Sequence, residues 1–272
     1  LAVDGRSLVY TGDTGPCSRV VELAHGADVL LAEAAHAPGP DLPKGLHLTG
    51  REAGEHAAAA GVVAGAAEEL IERRGLGDSD ATVYTQITRG AAPRSHAFPV
   101  PPAAPTVYAT ATPLEPHPES DAGIETILVP DTRWGRCDIK SIALLPNVLA
   151  RQMAADRGAH EALFVRDGVI TEGASTTFCA VSSGSVVTHP LTERILPGVT
   201  RTVVLGLCRG LGIPVVERAL HVDDLAVIRE AFVLSTTREV TAVKAIDGRP
   251  VGDGTPGPLT KRLRDAFAML TG

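Results

Sequence analysis

Lys140 follows Cys137, Asp138 and Ile139 in a stretch that reads as the mouth of a helix, where its amine would project into a partly desolvated site. Desolvation lowers a lysine pKa and lets the amine condense with a carbonyl near neutral pH. A lone lysine at a helix start is ordinarily a solvated charge, so its company decides. Glu172-Gly173-Ala174-Ser175-Thr176-Thr177 ends a hairpin with a carboxylate and a run of hydroxyls, Leu196 to Arg201 opens a helix, and Leu234-Ser235-Thr236-Thr237 ends a strand. Helix and turn N-termini of this kind present backbone N–H and hydroxyl donors to a phosphate monoester. An amine, a carboxylate and two anion cradles together predict a pyridoxal phosphate site, with the carboxylate on the pyridine nitrogen and the amine on the aldehyde.

The elements that carry these residues alternate in type. Ser7 to Tyr10 reads as a strand, Cys17 to Ala24 as a helix and Asp28 to Ala32 as a strand; Thr49, with Glu52 three residues on, would cap another helix. Ala66 to Arg74 is helical, and from Ala81 β-rich runs take over, at Thr82 to Thr88, Thr106 to Thr112 and Thr126 to Val129. An interdomain passage is expected near residues 113 to 124. Beyond it, Ile139 to Gln152 reads as a helix whose apolar residues Ile142, Leu145, Leu149 and Met153 would form one buried face. Two hairpins follow, one turning at Asp167-Gly168 and one around Ser183-Gly184. Helices over Thr200 to Leu211, Val222 to Arg229 and Leu259 to Leu270, with strands Val215 to Glu217 and Ala231 to Ser235, complete an α+β reading.

Composition narrows the function classes. The 272 residues are 44% hydrophobic and 21% charged, with 25 basic against 32 acidic side chains and a net charge of −7. A core is affordable at this length. No apolar run approaches the roughly 18 residues of a membrane helix and no basic leader precedes one, so a soluble, cytoplasmic chain without a membrane partner is expected. An acidic balance without a Lys/Arg block speaks against nucleic acid. The four cysteines, Cys17, Cys137, Cys179 and Cys208, form no C-x-x-C pair and read as buried thiols.

The run Cys137-Asp-Ile-Lys-Ser-Ile-Ala-Leu-Leu-Pro-Asn-Val-Leu-Ala150 stands with Arg166-Asp-Gly-Val-Ile-Thr-Glu-Gly-Ala-Ser175, His189-Pro190, Ile195-Leu-Pro-Gly-Val-Thr-Arg201 and Ser235-Thr-Thr-Arg-Glu-Val240. Together these closely resemble class IV (fold type IV) aminotransferases, most of all the D-amino-acid (D-alanine) branch, from about residue 66 onward. The resemblance implies pyridoxal 5'-phosphate as cofactor, Lys140 as the residue that carries it and shuttles the proton, and Glu172 as partner of the ring nitrogen. It implies Leu196 packed behind the ring, with Val199, Thr200, Ser235 and Thr236 on the phosphate. In the segment Gln86-Ile-Thr-Arg-Gly-Ala-Ala-Pro-Arg-Ser-His-Ala-Phe-Pro99, Arg94 and His96 resemble the pair that clamps a substrate carboxylate from the neighbouring subunit, which implies a homodimer. The expected reaction is transamination of a small D-amino acid with a 2-oxo acid. Alternatives are a 4-amino-4-deoxychorismate lyase or branched-chain aminotransferase of the same fold, an inactive hybrid of two truncated domains, or a metal-dependent hydrolase contribution from the N-terminal segment.

The family's usual beginning, an aromatic-rich strand, a substrate-facing Tyr and a phosphate-binding Arg, does not precede residue 66. Residues 1–63 instead resemble the C-terminal half of a metallo-β-lactamase-fold hydrolase of the ribonuclease Z type. Asp13 in Gly12-Asp13-Thr14 matches its metal-bridging Asp, and His47 lies in its His-x-Thr motif. No two His are spaced H-x-H, so no catalytic metal and no hydrolase contribution are expected. The expected organisation is a truncated α/β segment over 1–63, a remnant of the aminotransferase small domain over 66–113, and the cofactor-binding large domain over 120–272.

Overall fold

The computed structural model describes residues 2–3, 6–10, 29–31, 34–36, 48–49, 62–88, 91–101, 103, 106–114, 117 and 119–271. The chain divides into two units, Leu1–Glu115 and Pro116–Gly272. In the first, β1 (Ala2–Val3) pairs antiparallel with β2 (Arg6–Tyr10), β2 parallel with β3 (Val29–Leu31), and β4 (Ala34–His36) parallel with β5 (Leu48–Thr49). The helices expected at 17–24 and after Thr49 lie outside the described residues, as do Asp13, His47 and Cys17. Helix α1 (Val62–Arg73) is followed by the antiparallel pair β6 (Ala81–Thr88) and β7 (Thr106–Pro113). The Arg74 guanidinium donates to the Ala111 carbonyl at 3.3 Å and fastens the end of α1 to β7.

The second unit holds the cofactor-site candidates from Lys140 onward. After the short α2 (Glu119–Ala122) come β8 (Ile124–Pro130), α3 (Leu145–Asp156), β9 (Glu161–Arg166), β10 (Val169–Gly173), β11 (Thr177–Ser182) and β12 (Ser185–Thr188). Helix α4 (Val199–Gly210), β13 (Val215–Glu217), β14 (Leu220–His221) and a 3-10 turn over Val222–Ala226 lead to β15 (Glu230–Ser235), β16 (Glu239–Ile246), β17 (Arg249–Pro250) and α5 (Pro258–Thr271). All ten strands form one mixed sheet, in the order β13-β12-β11-β15-β16-β8-β9-β10-β14, with β17 on β16. β8 lies parallel to both β9 and β16; β11 and β15 are antiparallel.

Local chemistry explains most of these elements. Asp167 and Gly168 both have positive φ, 55° and 74°, as do Ser183 and Gly184 at 50° and 75°, which is the backbone a two-residue hairpin requires. β9 and β11 read as near-continuous apolar runs because both faces of their central residues are buried. On one side α4 and α5 pack Val204, Leu205, Cys208, Leu263 and Phe267 onto Cys179, Val181, Phe232 and Leu234.

Helix α3 corrects the sequence expectation. It begins at Leu145, not near Ile139, because Pro146 lacks an N–H and is accommodated in a first turn and not inside a helix. The face expected to be buried is the exposed one: Ile142 and Leu145 are each 68% exposed, and Val148, Leu149 and Met153 are also in solvent. The sheet side is formed by Ala150 and Ala154, which pack near Ile127, Val129, Ala162 and Phe164. Small side chains let the helix approach the sheet closely, so an apolar stripe existed but faced outward. The short helix expected over Val222 to Arg229 is a single 3-10 turn capped by His221.

Candidate active site

The site is built at the ends of β8, β10, β11 and β15. β8 runs out at Pro130, and the next residues, Asp131 and Arg133, turn back over the sheet; the Asp131 N–H donates to the Val165 carbonyl at 2.8 Å. Arg133 meets Asp131 with two parallel bonds, Nε to Oδ1 and Nη2 to Oδ2, both 2.9 Å. Its Nη1 donates to Glu172 Oε1, and its Nη2 also reaches Thr171 Oγ1 (3.2 Å) and the Arg194 carbonyl (3.1 Å). The guanidinium lies over the Phe164 ring, 4.4 Å from its centre. Arg166 adds a second cation, 3.0 Å from Asp131 Oδ1.

Glu172 is buried on β10, and its Oε2 accepts the Leu196 N–H at 3.0 Å. Burial pushes the Glu172 carboxyl up to about 7, against the opposing charge and hydrogen bond of Arg133. Burial would also raise Asp131, but its bonds to Arg133 and the charges of Arg133 and Arg166 hold it below the usual carboxylate range. The Cys137 thiol is pushed up by burial. The Cys137 N–H donates to Glu193 O at 2.8 Å, tying the 131–140 segment to the loop that delivers Leu196.

Three polar turns lie close to one another at this end of the sheet. Thr177 opens β11 directly opposite Leu234 of β15, so Thr176 and Thr177 lie next to Ser235 and Thr236. Gly198 is the N-cap of α4 and carries no side-chain cap, leaving that helix's first N–H groups available. A Cβ on Gly198 would come 3.1 Å from Thr177 Oγ1, a tight contact at this point. Thr176 Oγ1 is buried without a hydrogen-bond partner. From outside, Asn147 of α3 donates to the Ala174 carbonyl at 2.7 Å, and the buried Glu161 accepts from the Ser175 hydroxyl at 2.7 Å, fixing the 173–177 turn.

The structure sets the Leu196 N–H on Glu172, Gly198 beside Thr177, and Thr177 opposite Leu234, the residue before Ser235. Thr200 is buried, Leu196 half-buried and Val199 79% exposed, while the Ser235 hydroxyl accepts the Arg238 N–H at 3.1 Å across its turn. Lys140 corrects the reading that placed it in a desolvated helix mouth. It is exposed, in the turn ahead of α3, because the helix starts only at Leu145. Arg94 and His96 belong to the first unit and are both exposed. Asp131, Arg133 and Arg166 were not singled out from sequence; the available signal was a polar Asp-x-Arg placed directly after the apolar run of β8.

A buried carboxylate, an uncapped helix N-terminus and hydroxyl-bearing turns are the groups that a phosphorylated, nitrogen-containing ring would need, and an orphaned buried hydroxyl and a side-chain-free N-cap fit such a group. The chain belongs to the amino-transferase class IV family, whose model matches residues 57–246; this family uses pyridoxal phosphate. It is 43% identical over 189 residues to D-alanine aminotransferase of Bacillus licheniformis, covering 69% of this chain and 66% of that one. It is 41% identical over 206 residues to D-alanine aminotransferase of Staphylococcus aureus (strain COL), covering 74% and 73%. A branched-chain amino acid aminotransferase from Thermobaculum terrenum, solved in its PLP-form, superposes with a TM-score of 0.67 at 26% identity, covering 80% of this chain and 70% of that one. The chain thus spans just under two thirds of the length of the Bacillus relative. Among the described residues no group of three or more His, Cys, Asp or Glu is placed to hold a metal ion, and no helix is long and apolar enough to cross a membrane.

Proposed function

We propose that this chain transfers an amino group between a small D-amino acid and a 2-oxo acid, using pyridoxal phosphate held in the site around Glu172. The observation that supports the reading is the buried Glu172 carboxylate taking the Leu196 N–H just ahead of the uncapped start of α4, with Gly198 of that start beside Thr177. The cofactor, when bound, supplies the electron sink that lets a proton leave the substrate's α-carbon. Lys140 would hold it through its amine and, once released, move that proton as general base and acid. Glu172 would keep the ring nitrogen protonated from a site that excludes water. The N–H groups that open α4, at Val199 and Thr200, and the Ser235 and Thr236 turn would take the phosphate, and Leu196 would back the ring.

Identities of 41% and 43% to D-alanine aminotransferases, against 26% to the branched-chain enzyme, favour the D-amino-acid branch. Arg94 and His96 suit a substrate carboxylate, since a guanidinium meets it with two parallel N–H bonds. We read the working form as a homodimer because the outward face of α3, from Leu145 to Met153, is apolar and exposed, and a second copy of that face would cover it. The buried free thiols Cys137, Cys179 and Cys208 suit a cytoplasmic protein. Residues 1–63 are read as taking no part in the reaction.

The test is turnover of D-alanine against L-alanine and L-leucine with a 2-oxo acid, after the chain has been loaded with pyridoxal phosphate and its visible absorption recorded. D-selective turnover with a visible band supports the reading. L-leucine turnover moves the chain to the branched-chain activity, and no band at saturating cofactor overturns the reading altogether.

A further inference from the structure

A buried carboxylate left alone takes up a proton rather than remain charged. A neutral Glu172 could not keep the ring nitrogen protonated, so the role given to it above requires a neighbour that holds it both charged and oriented. The charged and titratable groups around it are Arg133 and Asp131 after β8, the Cys137 thiol in the following turn and, through Asp131, Arg166 of β9. Among the described residues, Arg133 is the one cation bonded to it.

That guanidinium has no freedom left. Asp131 takes Nε and Nη2, Thr171 and the Arg194 carbonyl share Nη2, and Phe164 lies beneath the plane. Only Nη1 is directed at Glu172 Oε1, while the Leu196 N–H fixes Oε2. We propose that Arg133, anchored by Asp131, is the positioning residue that keeps Glu172 an oriented carboxylate for the cofactor's ring nitrogen, an inference that rests on the reading of Glu172 given above. When Glu172 is ionised, it and Asp131 are balanced by Arg133 and Arg166, two charges of each sign, so the pocket can hold that carboxylate without net charge. A lysine could not serve: one ammonium cannot chelate Asp131 and reach Glu172 in the same plane.

The experiment compares the full chain with its Arg133→Lys and Arg133→Met variants. The Glu172 carboxyl is titrated in each apoprotein by carbon NMR with labelled glutamate, assigned by its loss in Glu172→Gln. Each protein is then loaded with pyridoxal phosphate labelled at the ring nitrogen, whose chemical shift reports protonation. The expected result is a Glu172 midpoint raised by about one to two pH units in the Arg133 variants, the size of one charge-assisted hydrogen bond, and a ring nitrogen that loses its proton at neutral pH. If Arg133→Met does not fold, Arg133→Lys carries the test, because it keeps the buried charge. An unchanged midpoint and nitrogen signal alongside lowered thermal stability would make Arg133 merely structural and overturn the proposal. Wild-type chain that takes no cofactor overturns the cofactor reading, and this inference with it; wild-type chain that binds cofactor with unchanged variants overturns this inference alone.

Discussion

Glu172 has a stability consequence that can be read without cofactor. Its carboxyl rises from 4.5 in the unfolded chain to about 7 in the folded one, so the folded state holds the proton more tightly. Its contribution is fully present below pH about 4.5 and is lost as pH climbs through about 7, so stability should fall across that window, by about 3 kcal/mol at most. Denaturant titrations at stepped pH should show this fall in the wild type and its absence in Glu172→Gln. The same variant should retain bound cofactor but turn over about tenfold or more slowly, since a neutral amide cannot hold the ring proton. At Lys140 the expectation is covalent: borohydride reduction of the loaded chain should label that residue, as peptide mass mapping will show, and Lys140→Ala should lose both label and transamination. Label on another lysine removes Lys140 from its role.

The elements act on the site through their ends. The turn from Gly173 to Thr177 is held by Asn147 of α3 and Glu161 of β9, and a side chain at Gly173 would force Thr176 to shift: a Cβ there would lie 2.1 Å from Thr176 Oγ1 and 3.1 Å from the Thr176 carbonyl. Gly173→Ala should therefore push the turn outward, lowering stability by about 1–3 kcal/mol and weakening pyridoxal phosphate binding, measurable by thermal melts and cofactor titration. Glu172 sits one residue away, so the strain should also appear in its titration. Helix α3 is built the opposite way round, with alanines inward and Leu145, Val148 and Leu149 outward. On the homodimer reading, placing charge on that face, as in Leu145→Lys with Leu149→Lys, should leave the unit folded and shift sedimentation from dimer to monomer. An unchanged sedimentation coefficient would locate the interface elsewhere.

For the whole molecule, the homodimer reading predicts activity that falls on dilution and returns on concentration, with Arg94→Ala raising the KM for the amino acid far more than it lowers cofactor affinity. The amino-terminal segment predicts the reverse of a second enzyme. Asp13 and His47 would leave most of a zinc ion's coordination to solvent, whereas hydrolytic zinc needs at least three protein ligands. After dialysis, elemental analysis should find no stoichiometric zinc, and Asp13→Ala should change nothing. Retained zinc removed by Asp13→Ala would make the chain bifunctional.

Much of this was legible from residue types and spacing because it depends on neighbours in the chain. Asp167-Gly168 and Ser183-Gly184 specify their hairpins through positive φ, Gly198 and the residues after it specify the open start of α4, and Glu172 with the hydroxyls that follow it marked the candidate site. What was missed depends on partners far away. β16 went unread, although it joins β15 to β8 and so closes the sheet, because parallel pairing with a strand more than a hundred positions earlier leaves no local signature. Periodicity revealed an apolar stripe on α3 but not its direction, which was settled by how closely Ala150 and Ala154 let the helix approach the sheet. Nor could spacing show that Arg133 would meet Glu172, 39 residues on, since that contact exists only where the chain leaving β8 comes back to the end of β10, with β9 lying between the two strands in the sheet. Local backbone preference writes turns and helix starts into adjacent residues; which buried charge faces which, and whether an apolar face looks inward or out, follows from packing and desolvation across the assembled sheet.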